Sequence, residues 1–173
     1  MSTHLATRVI QKLQGRPLVI FAAGGGAEAI STLQCLPGCS HVLFDAGVPY
    51  SREAVRDLIG YRLKTRDLGD GRRVGGATSQ EAALMLSWSA WARAAELSNQ
   101  RDPGAEARGD LVGAAVTCTI SGHPSARSHG DEAWLCVRSG PSGSRIHLCH
   151  MGWALGQTSS RTEQSGIAEK AAR

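Results

Sequence analysis

The feature that most constrains the fold is a run of three glycines, Gly24 to Gly26, between an apolar segment and a helical pattern. Residues 18–21 before it are apolar and partly β-branched, which is typical of a buried strand. Ala27, Ile30 and Leu33 follow it at helical spacing. A strand that enters a helix through a short glycine turn is the basic unit of α/β proteins, so the turn predicts a sheet covered by helices.

The other elements follow from the same kind of periodicity. A helix before the first strand stops at Gly15 and Pro17, and a second strand ends near Pro49. Residues 64–77 are polar and rich in glycine, and they predict a loop. The remaining segments are a helix over 51–61, a long helix over 79–97, a linker over 98–110, a strand over 111–120, a polar loop over 121–132, a hairpin of two strands over 133–140 and 145–153, and a weak terminal helix.

Two helix starts carry capping signals. Ser51 precedes an amphipathic segment and is predicted to cap it. Thr78 with Glu81 three residues later matches the capping-box pattern at the start of the long helix.

The length of 173 residues favours one domain, since two independent cores in so short a chain would be unusual. We predict a single domain over residues 1–173, with an N-terminal helix in 1–16, a core in 17–156 and a weak or frayed helix in 157–173. The order of elements predicts a mixed sheet with helices on both faces.

Charge and aromatic content disfavour a nucleic-acid partner. The 19 basic and 15 acidic residues are interspersed, and two Phe and two Tyr offer little stacking surface. Five cysteines, an odd number, mostly lie among apolar residues, as reduced core cysteines do. With no signal-peptide pattern and no long apolar run, the sequence predicts a cytoplasmic location and no membrane partner.

The glycine turn allows three interpretations. Gly24, Gly26 and Ala29 match a dinucleotide-binding pattern, with Asp45 about twenty residues further on. The short following helix and the lack of a second βαβαβ half disfavour that interpretation, and we expect no cofactor. A small anion or phosphate site is favoured over a bare tight turn, because glycine lets a ligand approach the backbone at a helix start.

Metal binding is not predicted. In a strand, His147 and Cys149 share one face and His150 points to the other, so the three do not converge. Neither cluster of possible ligands has the C-x-x-C pairing of a zinc site. The clusters are Cys35, Cys39 and His41 in one and His147, Cys149 and His150 in the other.

Two further hypotheses come from different functional classes. One is a hydrolase in which Cys118 or Ser121 acts as nucleophile and His123 or His129 as base, in the loop after a late strand. The other is a non-catalytic scaffold or homo-oligomer. Trp88 and Trp91 share one face of the long helix, which suits either a core or a subunit interface.

Three segments of the chain, taken in order, resemble a known family. They are GGGAEAISTLQCLPGCSHVLFDAGVPYSREAVRDLIG, GGATSQEAALML and GDLVGAAVTCTI. Together they resemble the C-terminal domain of the competence-damage-inducible CinA family, which includes nicotinamide mononucleotide amidases. The resemblance covers about residues 18–153 and implies a three-layer α/β/α sandwich with a mixed sheet.

The resemblance also implies where an amidase site would lie. In those amidases the glycine turn reads E-S-C-T-G-G and its Ser is the nucleophile. That Ser falls on Ala23, the preceding Glu on Ala22 and the Thr on Gly25. Since Ala23 has no hydroxyl, the nucleophile of this mechanism is missing.

A second family pattern, A-Y-S-x-x-x-K, supplies a tyrosine and a lysine as base and proton relay. Here Tyr50 and Ser51 are present and the lysine falls on Val55, so Tyr50 is the only matching catalytic residue. The resemblance thus implies a domain without the serine amidase mechanism that binds a small polar or phosphorylated, nucleotide-like ligand. Simple packing of Tyr50 and simple helix capping by the serines remain alternatives. The predicted ligand-binding residues are Gly24, Gly25, Gly26, Tyr50, Ser51, Ser79 and Thr117.

Overall fold

A computed structural model describes residues 3–60, 65–67, 73–103, 110–118, 131–140 and 142–153. Its helices and strands alternate along the first half of the chain and end in a β-hairpin. In chain order they are α1 (Thr3–Lys12), β1 (Leu18–Ala23), α2 (Ala27–Gln34), a short 3-10 helix (Cys39–His41), β2 (Leu43–Gly47), α3 (Arg52–Ile59), β3 (Thr65–Asp67), β4 (Arg73–Gly75), α4 (Gln80–Arg101), β5 (Val112–Cys118), β6 (Asp131–Ser139) and β7 (Arg145–Trp153).

The main sheet has five strands in the order β2-β1-β5-β6-β7. Strand β1 is parallel to both β2 and β5, whereas β5, β6 and β7 pair in antiparallel fashion. The predicted mixed α/β sheet and its C-terminal hairpin are therefore confirmed. The chain moves from β1 to β2 on one side and then crosses back to β5 on the other, so the direction of winding reverses at β1.

Alternate residues of β1 face two different layers of helices. Val19, Phe21 and Ala23 belong to an apolar cluster with residues of α3 and α4. Leu18 and Ile20 belong to a second cluster with residues of α1 and α2. Because helices cover both faces of the sheet, the molecule has three layers, helix, sheet and helix.

Helix α4 lies directly on β5 because Gly113 has no side chain. A Cβ built on Gly113 would overlap the backbone nitrogen of Trp91 and lie 2.5 Å from the carbonyl oxygen of Ser87.

Helix α4 also contacts the hairpin, since Trp91 Nε1 donates a hydrogen bond of 3.0 Å to the Gly140 carbonyl. Trp88 and Trp91 stack with 5.4 Å between ring centroids, so the prediction that they share one helix face is confirmed.

The start of α4 differs from the capping-box prediction. The helix begins at Gln80, and Ser79 is its N-cap. Ser79 Oγ accepts the hydrogen bond from the Ala82 amide at 3.2 Å. An N-cap is the extended residue immediately before the first helical residue, and Thr78 lies one position before it. The prediction of a capping box formed by Thr78 and Glu81 is therefore wrong.

Two predicted boundaries also change. Within the predicted loop over 64–77, β3 and β4 form a short antiparallel pair. Helix α4 continues through Arg101 into the predicted linker, and the Arg101 guanidinium lies 5.4 Å from the centroid of the Phe44 ring. A polar sequence does not prevent a helix from continuing where its side chains contact a neighbouring strand.

The loop over 119–130 and the terminal segment over 154–173 lie outside the described residues, so the single-domain and terminal-helix interpretations stay predictions. None of the helices in the described ranges has the length and apolar character that crossing a membrane requires.

Candidate functional site

The carboxyl ends of β2, β1 and β5 lie at one edge of the sheet, because these neighbouring strands are parallel. The glycine turn follows β1, and Thr117 lies near the end of β5. Tyr50 and Ser51 follow β2. This carboxyl edge therefore carries the residues that the sequence singled out, and it coincides with the strand at which the winding direction reverses.

The glycine turn has a backbone that requires glycine at two positions. Gly24 has φ of 88° and Gly26 has φ of 95°, both in the left-handed region. A Cβ on Gly24 would overlap the Cys118 carbonyl oxygen and lie 3.3 Å from Thr78 Cγ2. A Cβ on Gly26 would lie 3.1 Å from Val116 Cγ1. The turn is therefore packed closely against the end of β5 and the approach to α4.

The helix that leaves the turn starts without a side-chain cap, since its N-cap is Gly26. Each of the three helices that begin at this edge carries a glutamate in its first turn, namely Glu28 in α2, Glu53 in α3 and Glu81 in α4. A carboxylate in the first turn offsets the positive end of the helix dipole. The positive ends of these three helix dipoles are therefore partly offset by the chain's own carboxylates.

Thr117 and Ser79 contact each other and join α4 to the sheet. Thr117 is fully buried, and its Oγ1 donates a hydrogen bond of 3.2 Å to the Ser79 carbonyl. Ser79 Oγ in turn donates to the Gly76 carbonyl at 2.8 Å while it caps α4. Both hydroxyls already hold the start of α4 in place, which favours the capping interpretation of Ser79.

Ser51 and Tyr50 lie at the end of the neighbouring strand. Ser51 Oγ accepts a hydrogen bond of 3.0 Å from the Ala54 amide, so the predicted cap of α3 is confirmed. The Tyr50 residue is 67% exposed, which does not fit the alternative of an aromatic packed at the strand end. Its ring lies at the surface of the carboxyl edge, where a ligand could contact it.

The two positions that the family resemblance associates with nucleophile and lysine are both in the core. Ala23 is 1% exposed and Val55 is 0% exposed. They belong to the same apolar cluster between the sheet and α3 and α4. Ala22, at the position of the family's glutamate, alternates to the other face of β1 and is also buried.

Cys118 is fully buried at the end of β5. Strand alternation places its side chain on the face opposite to that of Thr117, which contacts α4. Ser121, His123 and His129 lie outside the described residues. Burial of the thiol on the far face argues against Cys118 as a nucleophile at this edge.

Thiol labelling should separate the five cysteines into two groups. Cys35 and Cys149 are exposed, whereas Cys39, Cys118 and Cys136 are buried. Burial raises the pKa of Cys39 and of Cys136, and a raised pKa leaves less of the reactive thiolate. At about pH 8, near the ordinary thiol pKa, we expect two thiols of the native protein to react quickly and three only on unfolding.

Mass mapping after a short pulse of iodoacetamide checks this, with the urea-unfolded protein as control. Early labelling at Cys118 would contradict its burial and revive the hypothesis of a cysteine hydrolase.

Asp45 does not serve the glycine turn as the dinucleotide interpretation requires. It is the third residue of β2, beside a register shift in the β1–β2 pairing, and its side chain points towards α4. Its Oδ2 accepts a hydrogen bond of 3.1 Å from Arg93 Nε. The acid that would bind a ribose is thus engaged in an ion pair away from the turn.

His150 also has a structural partner that the sequence interpretation missed. Its ring stacks on Trp134 with centroids 3.9 Å apart, and its Nε2 lies 3.3 Å from Glu132 Oε2. A hairpin register that pairs His150 with Trp134 explains the stack. Within the described part of the chain, no three His, Cys, Asp or Glu side chains are grouped so that they could hold a metal ion.

Comparison with protein-family models found no match to this sequence, and comparison with curated proteins found none either. Solved structures do match over nearly the whole chain. The competence/damage-inducible protein CihA from Agrobacterium tumefaciens matches with a TM-score of 0.63 and 22% identity, over 98% of this chain and 90% of that one.

Two structures from Klebsiella pneumoniae match in the same way. The competence damage-inducible protein A has a TM-score of 0.63 and 17% identity, over 98% of this chain and 91% of that one. A competence-damaged protein (CinA) superfamily protein has a TM-score of 0.62 and 16% identity, over 99% of this chain and 93% of that one. At these identities the likeness concerns the fold, and this chain has the fold of the CinA superfamily.

Proposed function

We propose that this chain is a CinA-like domain that binds a small polar ligand at the carboxyl edge of its sheet and lacks the serine amidase mechanism. The ligand class includes phosphorylated, nucleotide-like molecules. The proposal joins the fold, which is that of CinA superfamily structures, to the chemistry of the residues at this edge.

The observation that carries the proposal is the burial of Ala23 and Val55 in one apolar cluster. A serine amidase needs a hydroxyl that a neighbouring base can deprotonate. An alanine methyl and a valine side chain can neither attack a carboxamide nor transfer a proton. The positions at which the resemblance implies nucleophile and lysine therefore stabilise the core in this chain.

Ligand binding is supported by the groups that remain. The turn at Gly24 to Gly26 brings backbone without side chains to a helix start, with Gly24 half-buried and Gly25 and Gly26 buried. The exposed Tyr50 offers a hydroxyl and a ring at the next strand end. The glutamates in the first helical turns reduce the attraction for phosphate. The polar part of the ligand, rather than its charge, is then the main determinant of binding.

Activity is tested by incubating the protein with nicotinamide mononucleotide and measuring release of ammonia. We expect no turnover above that of heat-unfolded protein, because both the nucleophile and the lysine are missing. The variant Ala23→Ser should also be inactive, since its hydroxyl would be buried beside Val55 without a base. Turnover by the native protein that persists in Tyr50→Phe would overturn the proposed loss of mechanism.

Binding is tested separately with nicotinamide mononucleotide and with nicotinamide riboside, which lacks the phosphate. Amide chemical shifts of residues 24–26 are the measurement. We expect both compounds to shift these signals with similar affinity. If neither compound does so, the proposed ligand site is wrong, whereas the loss of the amidase mechanism is decided by the activity assay alone.

A further inference from the structure

Strand β7 forms one edge of the main sheet, and among the described strands it pairs with β6 alone. Its nine residues, from Arg145 to Trp153, lie in continuous one-to-one register with β6, without a bulge. In such a strand the backbone N–H and C=O groups that point away from the sheet are available to a further strand.

The other edge of the sheet, β2, has features that limit pairing with a further strand, and β7 lacks them. Strand β2 is five residues long, includes Asp45 and has a register shift in its pairing with β1. Charge, short length and irregular pairing are means by which natural edge strands avoid one another. After Arg145, β7 reads IHLCHMGW, with no Lys, Arg, Asp, Glu or Pro, and its Ile146 is 45% exposed. A long, uncharged and regular edge with an exposed apolar side chain is suited to cover by another strand.

The end of the hairpin at which β7 begins is basic. Arg145 lies 3.7 Å from Asp110, but Arg16 lies closer to the same carboxylate, at 3.2 Å. Arg138 on the neighbouring strand donates to the Gly143 carbonyl, and no described carboxylate pairs with it. Three guanidinium groups therefore share one carboxylate among the described residues of this end, which keeps a net positive charge.

The opposite end of the hairpin is acidic. Strand β6 begins with Asp131 and Glu132. Glu132 Oε2 lies 3.3 Å from His150 Nε2, and a histidine offsets a carboxylate only when it is protonated. At about pH 8 most histidine side chains are neutral, so this end has a net negative charge there.

We propose that two copies of this chain pair through β7, in antiparallel orientation about a two-fold axis at Cys149, and so join their sheets. Cys149 is the fifth of the nine residues, so this register pairs the whole strand with itself. The basic end of each hairpin then lies beside the acidic end of the other. A parallel pairing would bring like charges together. The proposed pairing is independent of ligand binding at the carboxyl edge.

The attraction between the ends acts across two strand spacings. Residue 145 of one copy lies opposite residue 153 of the other, which pairs with the start of β6. Two strand spacings are about 10 Å, close to the Debye length at 0.1 M salt. The opposite charges therefore favour the antiparallel register at moderate salt.

The same register brings the two copies of Cys149 directly opposite each other. Directly opposite Cα atoms of antiparallel strands are about 4.5 or 5.5 Å apart, and a disulfide spans about 4.4–6.8 Å. Side chains stand out of the plane of a sheet, so both thiols remain open to small reagents in the pair. The register therefore predicts a specific cross-link between the two copies.

Sedimentation equilibrium of the full chain at pH 8 tests the pairing. We expect a dimer at a chain concentration of about 100 µM. Cys149→Lys places like charges opposite each other and should raise the dissociation constant of the dimer by about tenfold or more. Cys35→Lys makes the same change at the other exposed cysteine, which ends α2, and should leave it unchanged. A monomeric native protein, or equal effects of the two variants, would overturn the proposal.

Oxidation in air with copper-phenanthroline then tests the register. The two thiols give two protons and two electrons to dissolved oxygen and form a disulfide. We expect disulfide-linked dimers of the native protein and of Cys35→Ser. Cys149→Ser should form none, although it should still sediment as a dimer. A dimer of the native protein that does not cross-link at Cys149 would be formed through another register or surface, and the proposed pairing would be wrong.

Discussion

Gly113→Ala is expected to destabilise the protein by about 3 kcal/mol or more, which is at the upper end of the usual cost of overpacking. The added methyl group would overlap the Trp91 backbone nitrogen and lie 2.6 Å from Trp91 Cα and 2.5 Å from the Ser87 carbonyl oxygen. Backbone atoms of a helix cannot rotate away as a side chain can. The whole of α4 would have to move off β5, and its other contacts would be strained.

Urea unfolding followed by circular dichroism measures this change. Gly47→Ala is the matched control, because its added Cβ would meet only the Phe21 ring, at 3.1 Å from Cδ1. A ring can shift by a few tenths of an ångström, so we expect the control to cost less than about 1 kcal/mol. Equal stability of the two variants would mean that α4 does not lie against β5 as described.

Gly24→Ala is expected to cost about 3 kcal/mol through two effects that add. Its φ of 88° is unfavourable for any residue with a Cβ, and that Cβ would overlap the Cys118 carbonyl oxygen. The turn would have to open away from the end of β5. Because the turn forms part of the proposed ligand site, binding should be lost together with stability.

The control for Gly24→Ala is Gly15→Ala. Gly15 has a similar φ of 79°, but nothing lies within 4 Å of its added Cβ. Its cost should be that of the backbone conformation alone, about 1 kcal/mol. The difference between the two free energies of unfolding isolates the overlap with β5. If the variants are equally stable, the glycine turn is not packed against Cys118.

Gly113 and Gly24 each allow backbone atoms of another segment to approach strand β5 closely. At Gly113 a helix approaches a strand, and at Gly24 a turn approaches the end of that same strand. Strand β5 thus positions both α4 and the glycine turn. A ligand at the carboxyl edge would therefore bind to a site whose parts are held by backbone contacts rather than by mobile side chains.

The surroundings of Ala23 favour a methyl group over a hydroxyl. The register pairs Ala23 with Thr117, and Thr117 Oγ1 is engaged with the Ser79 carbonyl. A buried hydroxyl without a partner is costly, whereas a methyl group packs without cost at this position. The alanine therefore stabilises the buried end of β1 better than a serine would.

Several features could be predicted from the sequence because they depend on local periodicity. The strand–glycine–helix turn, the cap at Ser51 and the C-terminal hairpin each lie within a short stretch of chain. Absence of a nucleophile at Ala23 and of a lysine at Val55 is also a property of the sequence, once the family resemblance aligns the turn. Their burial in one cluster is not, since α3 and β1 come together only in the fold.

Other features required the tertiary structure because the partners are far apart in the chain. Asp45 and Arg93 are separated by 48 residues, and Trp91 and Gly140 by 49. The side-chain periods of strands and helices, 2.0 and 3.6 residues, relate only residues that are close in the chain, so they do not predict such pairs. The sequence by itself determined the order of the helices and of the five strands of the main sheet, and which residues stand at positions 23 and 55. Only packing of α3 and α4 on the sheet decided that Asp45 pairs with Arg93 and that Ala23 and Val55 share one apolar cluster, because both depend on which side chains the fold brings into contact.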